Sequence, residues 1–256
     1  MLRSTKALVG FTISASDGDI GRVEALYFDD QQWTVRYFVV DTGGWLRGRR
    51  VLVSPVCVRQ PDWERRRLPV ALTKAQVQAS PGIDTHRPIS RRFEIAFSQY
   101  YGLPYYWPAS MGAAPAPLMA PAVSERVADE IQARLEAEEV VDQHLRSTED
   151  VRGYFLSATD GAFGHIEDFL VEDLTWRIRY LDVDTRNWWP SKHVLIAPEW
   201  IEAVSWQDSA VHVALPSDVV RDAPPYDPSR PLNRADEQKL YAHYGRAGYW
   251  EERAAA

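Results

Sequence analysis

The chain has 256 residues, of which 45% are hydrophobic and 25% charged, enough for one large core or two ordinary ones. Its 29 Lys and Arg against 36 Asp and Glu give a net charge of −7, which argues against a general nucleic-acid coat or a binder of anionic membranes. The one cysteine, Cys57, excludes an intramolecular disulfide and a cysteine-rich zinc site and is typical of a reducing compartment. Since the start lacks a signal-peptide pattern and no run reaches roughly 18 apolar residues, we expect a cytoplasmic protein that does not cross the membrane.

Short β-rich segments dominate the first part of the chain. The pair Asp17-Gly18 between the first two segments is what a tight hairpin turn prefers. Closing five or six such strands on themselves removes their exposed edges, so the pattern predicts a small antiparallel barrel of the mainly β class. The predicted strands are Val9–Ser14, Val23–Phe28, Trp33–Asp41, Arg50–Val53 and a segment around Val70–Leu72.

A short helix and an aromatic tail follow these strands. The helix is predicted over Ser90–Tyr101, where Ser90 suits the N-cap and Gly102 ends the helix. The tail Tyr100–Trp107 is rich in aromatic side chains, and we predict that it covers one end of the barrel. An aromatic anchor for a binding partner is the alternative.

Residues 108–144 open with Pro, Ala, Gly and Met and then show a helical pattern. Ser124 is a plausible N-cap for an acidic helix in which Val127, Ile131 and Leu135 recur every four residues. This single apolar stripe predicts a linker helix that packs as a strut, and a docking helix for a partner is the alternative.

The segment Leu145–Thr148 then repeats Leu2–Thr5, and an offset of 143 residues holds from there onward without a gap. The matched strands include Trp176–Asp184 and His193–Ile196, and Asn233 can cap a helix that begins at the next residue. We therefore predict a tandem duplication with domains at residues 2–107 and 145–250, joined by residues 108–144.

The repeated residues resemble the PRC-barrel family. The resemblance rests on Gly-x6-Asp-Gly-x2-Gly, then Trp-x2-Arg-Tyr, Val-Asp-Thr and Val-Leu-x-x-Pro, found from Gly10 to Pro55 and again from Gly153 to Pro198. This domain is shared by the cytoplasmic part of the photosynthetic reaction-centre H subunit and the C-terminal part of a bacterial ribosome-maturation factor. The resemblance implies two PRC-barrel-like antiparallel β-barrels with short C-terminal helices, joined by a helical linker.

The resemblance also implies a binding or assembly module without chemistry of its own, hence a non-enzymatic adaptor or regulatory protein with an unidentified protein partner. Two alternatives stay open: a binding protein linked to the ribosome or RNA processing, and an H-subunit-like accessory of a membrane electron-transfer complex. The reaction-centre subunit has an N-terminal membrane helix and the maturation factor has an N-terminal β domain, and we expect neither in this chain. Both roles are therefore analogies. Packing of the barrels on each other, a homodimer and peripheral membrane association are further open interpretations.

The motifs indicate no catalytic residue, metal or cofactor. A zinc site needs three or four converging ligands, and the histidines lack the usual ligand spacing. The pair Gly43-Gly44 lies in a strand-to-strand loop, which is the wrong setting for a nucleotide cradle. The histidines are His86, His144, His165, His193, His212 and His243.

The most informative signal is a charge asymmetry between the predicted repeats. Residues 2–107 hold 15 Lys and Arg against 10 Asp and Glu, whereas residues 145–250 hold 11 against 17. Three interpretations compete: drift among solvated charges, complementary faces within the chain, and a site for an anion such as RNA or acidic lipid. The predicted partner or anion contacts are Arg47, Arg49, Arg50, Arg65, Arg66, Arg67, Trp45, Trp188, Trp189, Tyr106, Trp107, Tyr249 and Trp250.

Overall fold

The computed structural model describes residues 1–46, 48–81, 83, 89–106, 144–185 and 192–252. The chain forms two compact units. The first unit contains Leu8–Gln31 and Val35–Arg146, and the second contains Met1–Ala7, Gln32–Thr34 and Ser147–Ala256. Each unit is built on one sheet with a few short helices, which confirms the mainly β class. The predicted linker helix lies outside the described residues.

The elements up to residue 106 include the predicted strands in the predicted order, although the last one lies at Arg67–Pro69 rather than around Val70–Leu72. The strand Leu2–Ser4 and the helices Thr5–Leu8 and Lys74–Gln78 were not predicted. The strands are β1 Leu2–Ser4, β2 Thr12–Ala15, β3 Gly18–Asp29, β4 Thr34–Asp41, β5 Arg50–Val53 and β6 Arg67–Pro69. The helices are Thr5–Leu8, Lys74–Gln78 and Arg91–Tyr101, with 3-10 turns at Gly43–Leu46 and Pro55–Cys57.

The elements from residue 144 onward repeat this order, with β12 and the helix Tyr249–Glu252 as additions among the described residues. The strands are β7 Leu145–Ser147, β8 Phe155–Ala158, β9 Gly161–Glu172, β10 Ile178–Asp184, β11 His193–Ile196, β12 Ile201–Ser205 and β13 Ala210–Val213. The helices are Thr148–Val151, Ser217–Arg221, Arg234–His243 and Tyr249–Glu252, with a 3-10 turn at Pro198–Trp200.

The sheets are not wholly antiparallel, which corrects the prediction. The first unit has the order β5-β4-β3-β2-β6 with β7 on β3, and the second has β11-β10-β9-β8-β13-β12 with β1 on β9. The pairs β2–β6 and β8–β13 are parallel, because the chain reaches the later strand through a long connection rather than a hairpin. Hydrogen bonding follows an open path through each sheet of described strands, so the predicted closure into a barrel is not seen.

Each sheet also receives the short strand that begins the other half of the chain. In the second unit, β1 lies antiparallel to β9, with Leu2 opposite Glu172 and Ser4 opposite Leu170. The Thr5 hydroxyl donates to Asp168 at 2.6 Å, and the Ser4 hydroxyl donates to the same buried carboxylate. In the first unit β7 pairs with β3, so the compact units do not begin where the sequence repeats begin.

The longest helix of each unit is positioned by the predicted cap. Ser90 accepts the N–H of Phe93, and Gly102 ends the helix Arg91–Tyr101 with φ +65°. Asn233 accepts the N–H of Asp236 at the start of Arg234–His243. In the first unit, the helix side chains pack in an apolar cluster that contains Tyr37, Val39, Leu52, Ile89, Phe93, Phe97 and Leu145.

Candidate functional site

A buried glutamate joins the helix, the sheet and the tail of the first unit. Glu94 is 1% exposed, and one carboxylate oxygen accepts hydrogen bonds from Tyr37 at 3.2 Å and Tyr106 at 2.5 Å. Its other oxygen lies 3.0 Å from the Arg91 guanidinium, and Arg36 stacks 3.7 Å above the Tyr106 ring. We call Arg36, Tyr37, Arg91, Glu94 and Tyr106 the first tail cluster. It fixes the predicted aromatic tail against the helix.

The second unit contains the same arrangement 143 residues later. Glu237 accepts hydrogen bonds from Tyr180 at 2.8 Å and Tyr249 at 2.9 Å and lies 3.0 Å from Arg234. Arg179 stacks 4.1 Å above the Tyr249 ring. These five residues form the second tail cluster. Because the glutamate of each cluster is buried and accepts hydrogen bonds from two tyrosines, the clusters stabilise the frame of each unit.

Burial raises the pKa of Glu94 to about 7, although the hydrogen bonds from Tyr106 and Tyr37 and the charge of Arg91 lower it. The folded state therefore binds a proton that the unfolded chain releases near pH 4.5. Its stability falls as the pH rises from about 4.5 to about 7, because the unfolded state binds fewer protons in that range. We expect the first unit to lose about 2 kcal/mol between pH 5.5 and pH 7.5 from this group.

The test is to compare urea unfolding of the wild type and Glu94→Gln at the two pH values. The glutamine keeps hydrogen-bonding capacity without a titrating proton, so the variant should lose this part of the pH dependence. Glu64→Gln, at an exposed position, is the control and should behave as the wild type. An unchanged pH dependence in Glu94→Gln would contradict the assignment.

Two of the predicted arginine contacts support the fold of the first unit. Arg49 donates to the Gln78 carbonyl at 2.9 Å and to the Ser80 carbonyl, at the end of the helix Lys74–Gln78. Two guanidinium nitrogens of Arg50 donate hydrogen bonds to the two carboxylate oxygens of Glu24, at 2.5 and 2.6 Å. This bidentate pair raises the pKa of Arg50. Both side chains thus have partners inside the unit.

The arginines of the next hairpin also have partners inside the first unit. Arg65 contacts Asp62 at 3.4 Å. Arg66 donates to the Val9 carbonyl at 2.9 Å, and its guanidinium lies 5.1 Å from the Phe11 ring centre. Arg67 donates to Ser14 at 2.8 Å and forms an ion pair with Asp19. These internal pairs offset part of the positive charge that suggested an anion site.

The predicted aromatic contacts are held by neighbouring polar groups. Trp45 donates its ring N–H to the Ile20 carbonyl, and the Lys74 ammonium lies 4.5 Å from the ring centre. Trp250 packs edge-on against Tyr241 at 5.0 Å and lies 4.3 Å from the Arg234 guanidinium. Tyr106 and Tyr249 belong to the tail clusters. Contact of any of these residues with a partner stays a prediction, and Arg47, Trp107, Trp188 and Trp189 lie outside the described residues.

Sequence reasoning missed the two buried glutamates. A signal was present, because Glu94 and Glu237 match at the offset of 143. They also lie three residues before Phe97 and Leu240, on the apolar face of each helix. A charged residue on such a face needs a buried partner.

A group of His, Asp and Glu side chains in the second unit was also missed. Asp182 is 2% exposed and lies 2.7 Å from Nδ1 of His193. Burial raises the pKa of Asp182, and His193 opposes the rise. On the same sheet, His165, Glu167 and Asp184 place their ligand atoms within 4.8 Å of one another. His165 and Glu167 lie on β9, whereas Asp184 lies on β10 and His193 on β11, so spacing along the sequence does not reveal the whole group.

Comparison with known proteins assigns a family to part of the chain. Residues 6–77 match the model of the PRC-barrel domain family. None of the curated proteins compared with the chain matches it. Among the described residues, no helix is long and apolar enough to cross a membrane. The segment from residue 6 to residue 77, which holds β2 to β6 of the first unit, is a PRC-barrel domain.

Proposed function

We propose that this protein is a non-enzymatic adaptor whose two PRC-barrel-like units present different surfaces to protein partners. One observation carries the proposal: the units have the same internal contacts but differ in the side chains they expose. The two tail clusters match residue for residue at an offset of 143. Such a frame keeps a binding surface rigid while its exposed residues change.

Exposed apolar side chains of the second unit support this proposal. Phe155 on β8 is 55% exposed, and Leu174, at the turn between β9 and β10, is 81% exposed. Met1 lies beside that turn, where its carbonyl accepts the N–H of Asp173 at 2.9 Å. The first unit has the polar residues Thr12 and Gln31 at the positions that match Phe155 and Leu174. The second unit thus exposes apolar side chains at two positions where the first is polar, whereas the first exposes Val56 where the second has Glu199.

The charges of the first unit favour a protein partner over RNA. An arginine that binds nucleic acid pairs with a phosphate and displaces the counterions condensed on that nucleic acid. Arg50 and Arg67 already lie against Glu24 and Asp19 within the unit. An ion pair to phosphate would have to replace these pairs.

The proposal is tested by affinity purification of the tagged protein from its own cells, with and without ribonuclease, followed by mass spectrometry. Wild-type protein should retain a defined protein set after ribonuclease. With the double variant Phe155→Thr/Leu174→Gln, the recovered amount of these partners should fall about ten-fold or more. One or two central apolar contacts carry much of the binding energy of an interface. Both replacements are residues that the first unit carries at the matched positions.

The control is Glu202→Gln, an exposed polar position on β12, which should retain the partners. Recovery of the protein alone at low salt would contradict the adaptor role. Loss of the partners on ribonuclease treatment would favour the RNA-linked alternative. Partners drawn from a membrane electron-transfer complex, with the protein pelleting with membranes, would favour the accessory role.

A further inference from the structure

Three adjacent strands of the second unit bring metal-ligating side chains into one row. In the antiparallel register, Asp184 of β10 lies opposite His165 of β9 and opposite His193 of β11. Residues directly opposite each other project to the same face of a sheet. Glu167 follows His165 on β9, and its Oε2 lies 3.7 Å from Nε2 of His165.

The side chains of this row have different freedom to move. Asp184 is 6% exposed, whereas the side chains of His165 and Glu167 are 23% and 30% exposed. Lys6 pairs with Oε1 of Glu167, and Oε2 of the same carboxylate lies on the side of His165. His193 lies at one end of the row, where its Nδ1 is engaged by Asp182 at 2.7 Å.

The first unit has two arginines at the positions that match the two histidines. The residues 143 positions earlier are Arg22, Glu24, Asp41 and Arg50. There the Arg50 guanidinium neutralises Glu24 through two short contacts. The second unit keeps both carboxylates, as Glu167 and Asp184, but has imidazoles in place of both guanidiniums. This exchange replaces two permanent cations with two groups that ligate metals when neutral.

We propose that His165, Glu167 and Asp184 bind a divalent transition-metal ion, of which Zn²⁺ is the probe of choice. One imidazole and two carboxylates form a ligand set that favours zinc or manganese over magnesium and calcium, which prefer oxygen ligands alone. Three protein ligands leave a coordination position for water. This inference does not depend on the adaptor role.

The observed spacing is compatible with ion binding after a small movement. A tetrahedral ion with bonds of about 2.1 Å holds its ligand atoms about 3.4 Å apart. The three ligand atoms lie within 4.8 Å of one another, so the most distant pair must approach by at most about 1.4 Å. Because His165 and Glu167 are half-buried, rotation of their side chains can provide this movement while Asp184 stays in place.

The experiment is calorimetric titration of tag-free, chelator-treated full-length protein with ZnCl₂ and MnCl₂, with MgCl₂ and CaCl₂ for comparison. The wild type should bind one Zn²⁺ per chain. His165→Arg should weaken Zn²⁺ binding by about 100-fold or more, because it removes a ligand and adds a positive charge. This variant copies the residue that the first unit carries at the matched position, Arg22, so the fold should accept it.

Two further variants make the result specific. His212→Gln changes an exposed histidine on β13 and should bind Zn²⁺ as the wild type does. Glu167→Gln provides an independent loss of a ligand if His165→Arg does not fold. Zn²⁺ should raise the melting temperature of the wild type and His212→Gln but not of His165→Arg or Glu167→Gln.

The proposal is overturned if neither Zn²⁺ nor Mn²⁺ binds, or if His165→Arg and Glu167→Gln bind Zn²⁺ as tightly as the wild type. Equal loss of binding in His212→Gln would place the ion elsewhere. Binding of Mg²⁺ or Ca²⁺ as tight as that of Zn²⁺ would contradict the assigned class of metal.

Discussion

Gly21→Ala is expected to destabilise the first unit by about 3 kcal/mol or more. Gly21 lies on β3 where the backbone of the Asp41-Thr42 segment passes closest. A β-carbon at position 21 would lie 2.8 Å from the carbonyl carbon of Asp41 and 2.9 Å from the α-carbon of Thr42. These are backbone atoms of the neighbouring chain segment, so a rotamer change cannot relieve the overlap. The sheet itself would have to open.

Urea unfolding of the full chain measures this effect, with Gly44→Ala as the control. A β-carbon at Gly44 meets nothing within 4 Å, so this variant should stay within about 0.5 kcal/mol of the wild type. Gly164→Ala tests the matched place in the second unit, where a β-carbon would lie 3.0 Å from Cγ1 of Val183 and 3.2 Å from the carbonyl carbon of Asp184. Equal stability of Gly21→Ala and Gly44→Ala would show that the strands do not approach as described.

Glu237→Ala is expected to destabilise the second unit by about 3 kcal/mol. Glu237 is 3% exposed and is the common acceptor for the hydroxyls of Tyr180 and Tyr249. Its removal leaves the fully buried Tyr180 hydroxyl without this acceptor and leaves the Arg234 guanidinium without its nearest carboxylate. The substitution also opens a small cavity beneath the tail.

The effect is measured by urea unfolding. The fluorescence of Trp250, which packs against Tyr249, reports whether the tail stays in place. Glu202→Ala changes an exposed glutamate and should cost less than about 0.5 kcal/mol. Glu237→Gln retains acceptor capacity and should lie between the two. If Glu237→Ala and Glu202→Ala were equally stable, the second tail cluster would not contribute to the fold.

Local elements were predictable where a short-range rule decides them. Asp17-Gly18 correctly predicted the hairpin between β2 and β3, since few residue pairs suit so tight a turn. Ser90 and Asn233 correctly marked the starts of the two long helices. The parallel pairing of β6 with β2 and of β13 with β8 was not predictable, because the partners in each pair are far apart in the chain and other strands lie between them.

The sequence determined the features that depend on neighbouring residues, and the tertiary structure decided the features that depend on contacts between distant ones. The PRC-barrel resemblance of the first repeat, the mainly β class and the caps of the longest helices follow from residues close together in the chain, where spacing and turn chemistry suffice. Which sheet receives β1 and β7 was decided only by tertiary structure, because a three-residue strand carries too little side-chain pattern to choose its neighbour. The same holds for Glu94 and Glu237 and for the row of His165, Glu167 and Asp184, whose partners lie on other elements. Their chemistry depends on burial and strand register, and only the folded chain sets those.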